Sequence, residues 1–204
     1  MTLPEPSFAH LLELTDDTGL FEHADHLLPR RDHGYTTDDA ARALIAVCRR
    51  VDPEPALVRA SITYAGFLDH AHRSNGSFHN RLSYGRWFTD LVGSEDSQGR
   101  ALWALGTAAR TASQPWLREV SAEHLRHTPD LPWRSPRANA FAVLGFVEAL
   151  ASDLAPPDMA DLLQRVAHRL PRPSSGDWPW PEQRLAYDNA RLPEALVAAG
   201  AALE

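Results

Sequence analysis

The chain has 204 residues, of which 44% are hydrophobic, and it carries a net charge of −7 at pH 7. That length suits one domain, residues 1–204, with a single sizeable core. The acidic balance argues against a nucleic-acid groove and against an anionic membrane surface as a partner. The one cysteine, Cys48, excludes an internal disulfide and a thiolate metal cluster, and its apolar surroundings predict a buried, inert thiol.

The N-terminal residues do not combine a basic region with an apolar stretch, and no apolar run approaches the length of a membrane span. We therefore expect a soluble cytoplasmic protein without a membrane partner.

Helical periodicity dominates the chain, which predicts an all-α fold. In chain order the pattern predicts helices over residues 8–14, 38–51, 55–72, 96–112, 114–127, 137–152, 157–170 and 188–202. Two further segments, 74–94 and 171–187, are rich in aromatic residues and lack a helical period. We predict a loop or hairpin for the first and a loop for the second. Loops of this length in a compact domain are often functional.

One phrase recurs at four predicted helix starts: an acidic or polar opening, a small residue, an arginine and an apolar run. The four copies begin at Thr37, Glu95, Ser135 and Tyr187, the third being degraded. Such repetition predicts a repeated helical unit. Arg42 and Arg100 are 58 residues apart, and Arg100 and Asn139 are 39 apart, which suits helical hairpins with inserted loops. We expect about four hairpins arranged as an incomplete α/α toroid.

Equivalent helix starts in such a repeat would bring their carboxylates to one end of the array. Hydrolysis of a glycosidic bond needs one protonated carboxyl and one ionised carboxylate, roughly 6.5–9.5 Å apart in inverting enzymes. The candidates for these roles are Asp38, Asp39, Asp96 and Glu182. Helix capping is the competing explanation, by Thr37 or Asp38 at one start and by Ser94 or Asp96 at the other.

The loops offer residues that suit sugar binding, because aromatic rings pack on apolar sugar faces and polar side chains bind hydroxyls. The candidate substrate-binding residues are His33, Tyr35, His79, Arg86, Trp87, Glu95, Trp178, Trp180 and Asp188. A loop stiffened by prolines, with tryptophans that only pack, explains the last aromatic pair equally well. We expect Arg42, Arg100 and Arg191 to brace neighbouring carboxylates through ion pairs.

Other chemistries have weaker support in the sequence. His23, His26 and His33 lie near Asp25 and Asp32, but their spacing matches no standard metal-binding motif. No phosphate-binding glycine loop and no nucleophile elbow is present. We therefore predict neither a metal nor a cofactor.

Four stretches resemble a bacterial family of six-hairpin-glycosidase-like toroids: LTDDTGLFEHA (14–24), HGYTTDDAARAL (33–44), GSEDSQGRALWALG (93–106) and YDNARLPEAL (187–196). Members of that family are often encoded beside glycosyltransferases or fused to them, and are named glycosyltransferase-associated or glycosidase-related. The resemblance implies an α/α toroid with a role in carbohydrate metabolism. This chain has Ala40 where the family usually has Asn, and family members usually continue beyond the position of Glu204.

These observations favour a glycoside hydrolase that acts on an oligosaccharide or polysaccharide by a two-carboxylate mechanism. The alternative is a non-catalytic domain that binds a glycan or accompanies a glycosyltransferase. A purely structural helical repeat is a third reading, and it predicts no clustered carboxylates.

Overall fold

A computed structural model describes residues 5–128, 133–173, 175 and 177–204. These residues contain eight helices: α1 (Ala9–Glu13), α2 (Thr37–Cys48), α3 (Pro55–Ala71), α4 (Glu95–Thr111), α5 (Pro115–Arg126), α6 (Pro136–Leu150), α7 (Met159–Ala167) and α8 (Arg191–Leu203). The protein is thus mostly helical, as expected for an all-α fold. None of these described helices has both the length and the apolar character needed to cross a bilayer.

The described part of the chain also contains four strands of two residues each: β1 (Ala24–Asp25), β2 (Leu28–Pro29), β3 (Tyr35–Thr36) and β4 (Arg81–Leu82). β1 pairs with β2, and β3 pairs with β4, both antiparallel. Two residues are too few to show the alternation by which a strand is recognised in a sequence. The pairing of β3 with β4 brings the 74–94 segment against the start of α2.

Three helices begin with the same capping arrangement. The hydroxyl oxygens of Thr36, Ser94 and Ser135 each accept a hydrogen bond from the backbone N–H three residues later. Such bonds satisfy one of the free N–H groups at a helix start. Of the two candidate caps for α4, Ser94 and Asp96, the structure has Ser94, whereas the cap of α2 is Thr36 and neither Thr37 nor Asp38.

The caps also correct the register of the repeat. Counted from cap to cap, the spacing is 58 residues from α2 to α4 and 41 residues from α4 to α6. Phe141, and not Asn139, therefore corresponds to Arg100. Arg137 occupies in α6 the position that Asp96 occupies in α4.

The fourth copy of the phrase does not begin a helix in this way. α8 starts at Arg191, its N-cap residue Ala190 makes no side-chain capping bond, and Asp188 precedes the helix with a positive φ of 51°. The predicted start of this helix at Asp188 was therefore three residues too early.

Four of the described helices pack side by side in a row, and three others pack against this row. α2, α4, α6 and α8 each contact the next in the row, while α3, α5 and α7 pack against α2, α4 and α6 respectively. Their apolar side chains form one continuous buried cluster. Cys48 belongs to it, and burial raises the pKa of its thiol to about 12, which agrees with the expected inert cysteine.

The closest approach in the row is between α4 and α6, where glycines face each other. A Cβ atom added to Gly106 would overlap the carbonyl oxygen of Gly145, and one added to Gly99 would overlap that of Ala138. The two backbones therefore touch with no side chain between them.

We predict that Gly106→Ala destabilises the fold by about 1–3 kcal/mol or more, because neither backbone can move without disturbing the packed core. Gly200, in α8, is the matched control, since a Cβ there meets no atom within 4 Å. Gly200→Ala should stabilise the protein by up to about 1 kcal/mol through helix propensity. Urea unfolding midpoints test both, and a Gly106→Ala variant as stable as wild type would contradict the assigned contact.

Candidate functional site

The starts of α2, α4 and α6, together with the segment before α8, surround one cleft of about 880 Å³. This volume lies within the range of roughly 300–1,000 Å³ found for small-molecule sites. Charged groups dominate the lining. The carboxylates are those of Glu22, Asp38, Asp39, Glu95, Asp96 and Asp188, and the guanidiniums are those of Arg42, Arg81 and Arg100.

Five of the predicted site residues line this cleft: Asp38, Asp39, Glu95, Asp96 and Asp188. They come from three separate parts of the chain. The expected convergence of carboxylates from different helix starts is therefore present in the structure.

Asp38 is held between two arginines. One of its oxygens pairs with Arg42, and the other lies 2.7 Å from Nε of Arg100. Arg100 is only 8% exposed, also donates to Asp188 over 2.7 Å, and lies 4.2 Å above the ring of Phe141. This buried guanidinium joins α2, α4 and the segment before α8, so Asp38 serves mainly as its counter-charge.

The predicted bracing role of the arginines agrees with these contacts. Arg42 also lies 3.4 Å from Asp39, and Arg191 pairs with Glu194 over 2.5 Å while it lies above the ring of Trp103. Of the two, only Arg42 acts on a carboxylate of the cleft.

Asp39 is the cleft carboxyl with a raised pKa. Its Oδ2 accepts a hydrogen bond of 2.7 Å from the hydroxyl of Thr36. Burial raises the pKa above its usual value, and the Thr36 hydrogen bond and the charge of Arg42 only partly oppose this. A carboxyl that keeps its proton to higher pH is suited to donate it.

Asp96, in the first turn of α4, lines the same cleft. Its Oδ1 accepts a hydrogen bond of 2.6 Å from the hydroxyl of Ser135, while no described residue donates to Oδ2. Its neighbour Glu95 is used differently, since its Oε2 accepts from the backbone N–H groups of Arg134 and Ser135. Glu95 thus fixes the start of α6, whereas Oδ2 of Asp96 accepts no hydrogen bond from the described residues.

Glu182 does not line the cleft. Its two carboxylate oxygens accept hydrogen bonds of 2.7 and 2.8 Å from Arg137, which is 7% exposed, and this contact lowers the pKa of Glu182. A carboxylate paired in this way is a poor proton donor. The structure therefore removes Glu182 from the acid/base candidates and gives it a structural role.

The sequence analysis missed Arg137, whose guanidinium also bonds to the backbone oxygen of Tyr187 over 2.5 Å and to Oδ1 of Asn189 over 3.2 Å. Together these contacts fasten the segment before α8 to the start of α6. The one signal in the sequence was a basic residue where the repeated phrase has an acid.

The aromatic residues that were predicted to bind sugar do not line the cleft. Tyr35 is buried and donates to Asp16, and His79 stacks on Phe88. Neither lines the cleft, because both side chains belong to the packing beneath its rim.

Three further residues that were predicted to bind sugar, Arg86, Trp87 and His33, also lie outside the cleft lining. Arg86 pairs with Asp17, Trp87 is exposed, and His33 packs edge-to-face against His23.

The tryptophans of the 171–187 loop have structural contacts. Trp178 donates its indole N–H to the backbone oxygen of Glu182, and Trp180 packs against the core. Residues 174 and 176 of this predicted loop lie outside the described residues.

Other residues of the cleft lining were not predicted as site residues. Glu22 and His23, before β1, and Asn80 and Arg81, at β4, lie beside the start of α2 through strand pairing, and no periodic signal in the sequence indicates that position. Tyr187, at the start of the fourth copy of the phrase, also lines the cleft.

No known family model matches the chain, and no curated protein matches it.

We predict that Arg137→Met destabilises the protein by about 1–3 kcal/mol, because it leaves Glu182, the backbone oxygen of Tyr187 and Oδ1 of Asn189 without their donor. Arg110→Met is the matched control. Arg110 forms an exposed pair with Glu148, and such surface pairs contribute about 0–1 kcal/mol. Equal effects of the two substitutions on urea unfolding would contradict the anchoring role.

Asp39→Asn should stabilise the fold at neutral pH. The pKa of Asp39 is higher in the folded than in the unfolded state, so the favourable effect of its neutral carboxyl on the free energy of unfolding is complete below the unfolded-state pKa. This effect is lost as pH rises through the folded-state pKa. The gain in stability from Asp39→Asn should therefore increase between the two pKa values and be constant at higher pH. Thermal melts at several pH values measure it.

Asp32 provides a control of opposite sign, because Arg30 lowers its pKa. Asp32→Asn should show no such gain on raising the pH. A stability difference for Asp39→Asn that is independent of pH would refute the assigned burial.

Proposed function

We propose that the cleft binds an oligosaccharide or polysaccharide and hydrolyses a glycosidic bond. The observation that carries this proposal is the meeting of carboxyl groups from the starts of α2 and α4 in one polar cleft, one of them with a raised pKa. Two carboxyl groups with different protonation behaviour are what glycoside hydrolysis requires.

Asp39 is the proposed acid and Asp96 the second carboxylate. Asp39 donates its proton to the glycosidic oxygen as the bond between that oxygen and the anomeric carbon breaks. Oδ2 of Asp96 takes a proton from the water whose oxygen forms the new bond to that carbon. The Asp38–Arg100–Asp188 ion pairs hold the surrounding wall in place.

The arrangement of helices is consistent with this proposal. In an arc of an α/α toroid, an inner row of helices begins at one cleft and a second, outer layer of helices packs on that row. The row α2, α4, α6, α8 with α3, α5 and α7 packed on it matches this description. We therefore extend the proposal to an α/α toroid fold of the six-hairpin glycosidase type.

The second candidate is a non-catalytic glycan-binding or glycosyltransferase-associated domain. One observation favours the glycosyltransferase-associated role: the predicted tryptophans lie outside the cleft lining, which among the described residues contains Tyr187 but no tryptophan or phenylalanine. A purely structural repeat is less favoured, because it gives no reason for a carboxyl with a raised pKa, Asp39, in the same cleft as Asp96.

A reducing-sugar release assay across α- and β-linked glycans tests the proposal. Asp39→Asn and Asp96→Asn should each lower turnover by roughly 10²–10⁴-fold, because each removes one half of the acid/base pair. Activity should also fall as pH rises through the raised pKa of Asp39, since the acid must be protonated.

The control is Asp161→Asn, at an exposed position in the outer helix α7, which should retain wild-type turnover. Glycan binding measured by calorimetry separates the two candidates. Binding without turnover on every glycan would refute hydrolysis and support the accessory role.

A further inference from the structure

Two histidines and a glutamate meet at the rim of the cleft. Glu22, His23 and His33 each present one potential ligand atom, and these three atoms lie within 4.8 Å of one another. Glu22 and His23 also line the cleft. None of the three has a role in the acid/base chemistry proposed above.

The backbone holds these residues on the two limbs of one hairpin. The N–H of Glu22 donates to the oxygen of Gly34 over 3.0 Å, and the N–H of Arg30 donates to the oxygen of His23 over 2.8 Å. His23 and His33 are ten residues apart, a spacing that matches no metal-binding motif in the sequence. The hairpin between them brings the two side chains together.

The side chains are arranged so that ligation needs little rebuilding. Arg81 binds Glu22 with hydrogen bonds of 2.9 and 3.2 Å, yet each carboxylate oxygen has a second lone pair. Nε2 of His23 lies 3.9 Å from Oε1 of Glu22, and the rings of His23 and His33 are 4.5 Å apart. Arg81 would then orient the carboxylate, as hydrogen-bond partners of metal ligands commonly do.

The geometry points to a Zn²⁺ site formed by a carboxylate oxygen of Glu22 and one ring nitrogen each of His23 and His33. Two histidines and one glutamate are a known ligand set of zinc sites that keep a fourth position open. Here that position would be at the cleft, where it could take water or a ligand hydroxyl. The proposal does not depend on glycoside hydrolysis.

The ligand atoms must still move slightly closer together. Bonds of about 2.0–2.2 Å in a tetrahedral site place ligand atoms roughly 3.4 Å apart. The side chains of His23 and His33 are 56% and 39% exposed, so they can rotate without disturbing the core. Glu22, at 14% exposure, would stay fixed by Arg81.

The test is a Zn²⁺ titration of tag-free, chelator-treated protein in competition with a chromogenic chelator. Wild type should bind one zinc ion per chain, and His23→Ala and His33→Ala should each weaken the affinity at least about tenfold. His26→Ala is the matched control, because His26 lies on the same hairpin, is 97% exposed and is outside the cluster. It should retain wild-type affinity.

A second measurement avoids substitutions altogether. Co²⁺ added to the unmutated protein should give the intense visible absorption of a site with few ligands, and Zn²⁺ should displace it. Thermal melts confirm that each variant is folded, and Glu22→Gln replaces any variant that is not. Absence of zinc binding to wild type, unchanged affinity in the ligand variants, or equal weakening by His26→Ala would each overturn the site. The sugar-release assay is unaffected by any of these results.

Discussion

The contact between the backbones of α4 and α6 is the constraint on which the site depends. Gly106 and Gly145 allow the two helices to touch without an intervening side chain. The start of α6 therefore comes within reach of the start of α4, so that Glu95 accepts from the N–H of Ser135 and Asp96 accepts from its hydroxyl. A wider spacing would separate these groups and leave the N–H groups at the start of α6 without their partner.

Charge is divided within the cleft between structural and available groups. Arg100 is almost fully buried, and its charge is compensated by Asp38 and Asp188. Removal of either carboxylate would leave the buried guanidinium without one of its partners, which is destabilising. Asp39 and Asp96 each accept a hydrogen bond from a hydroxyl group, and Arg42 also lies 3.4 Å from Asp39. The acid/base proposal uses these two because the pKa of Asp39 is raised and no described residue donates to Oδ2 of Asp96.

One side of the cleft, formed by Glu22, His23, Asn80 and Arg81, is positioned by short strands and not by helices. The hairpin that carries Glu22 and His33 is joined to the helical body through β3, which pairs with β4 in the 74–94 segment. Gly34 makes this possible, because it has a φ of 69° and a Cβ there would overlap the backbone oxygen of Leu82. Strand pairing thus brings polar side chains from two loops to one side of the cleft.

The helices, the buried Cys48 and the acidic helix starts could all be predicted from the sequence, because each leaves a local pattern in neighbouring residues. The partners of Glu182, the position of the tryptophans and the meeting of His23 with His33 could not. Salt-bridge partners and two-residue strands depend on which distant segments pack together, and no local periodicity records that choice. Residue types and local spacing thus indicate which side chains are capable of acid/base chemistry, but contacts between distant segments establish which of those side chains line one cleft.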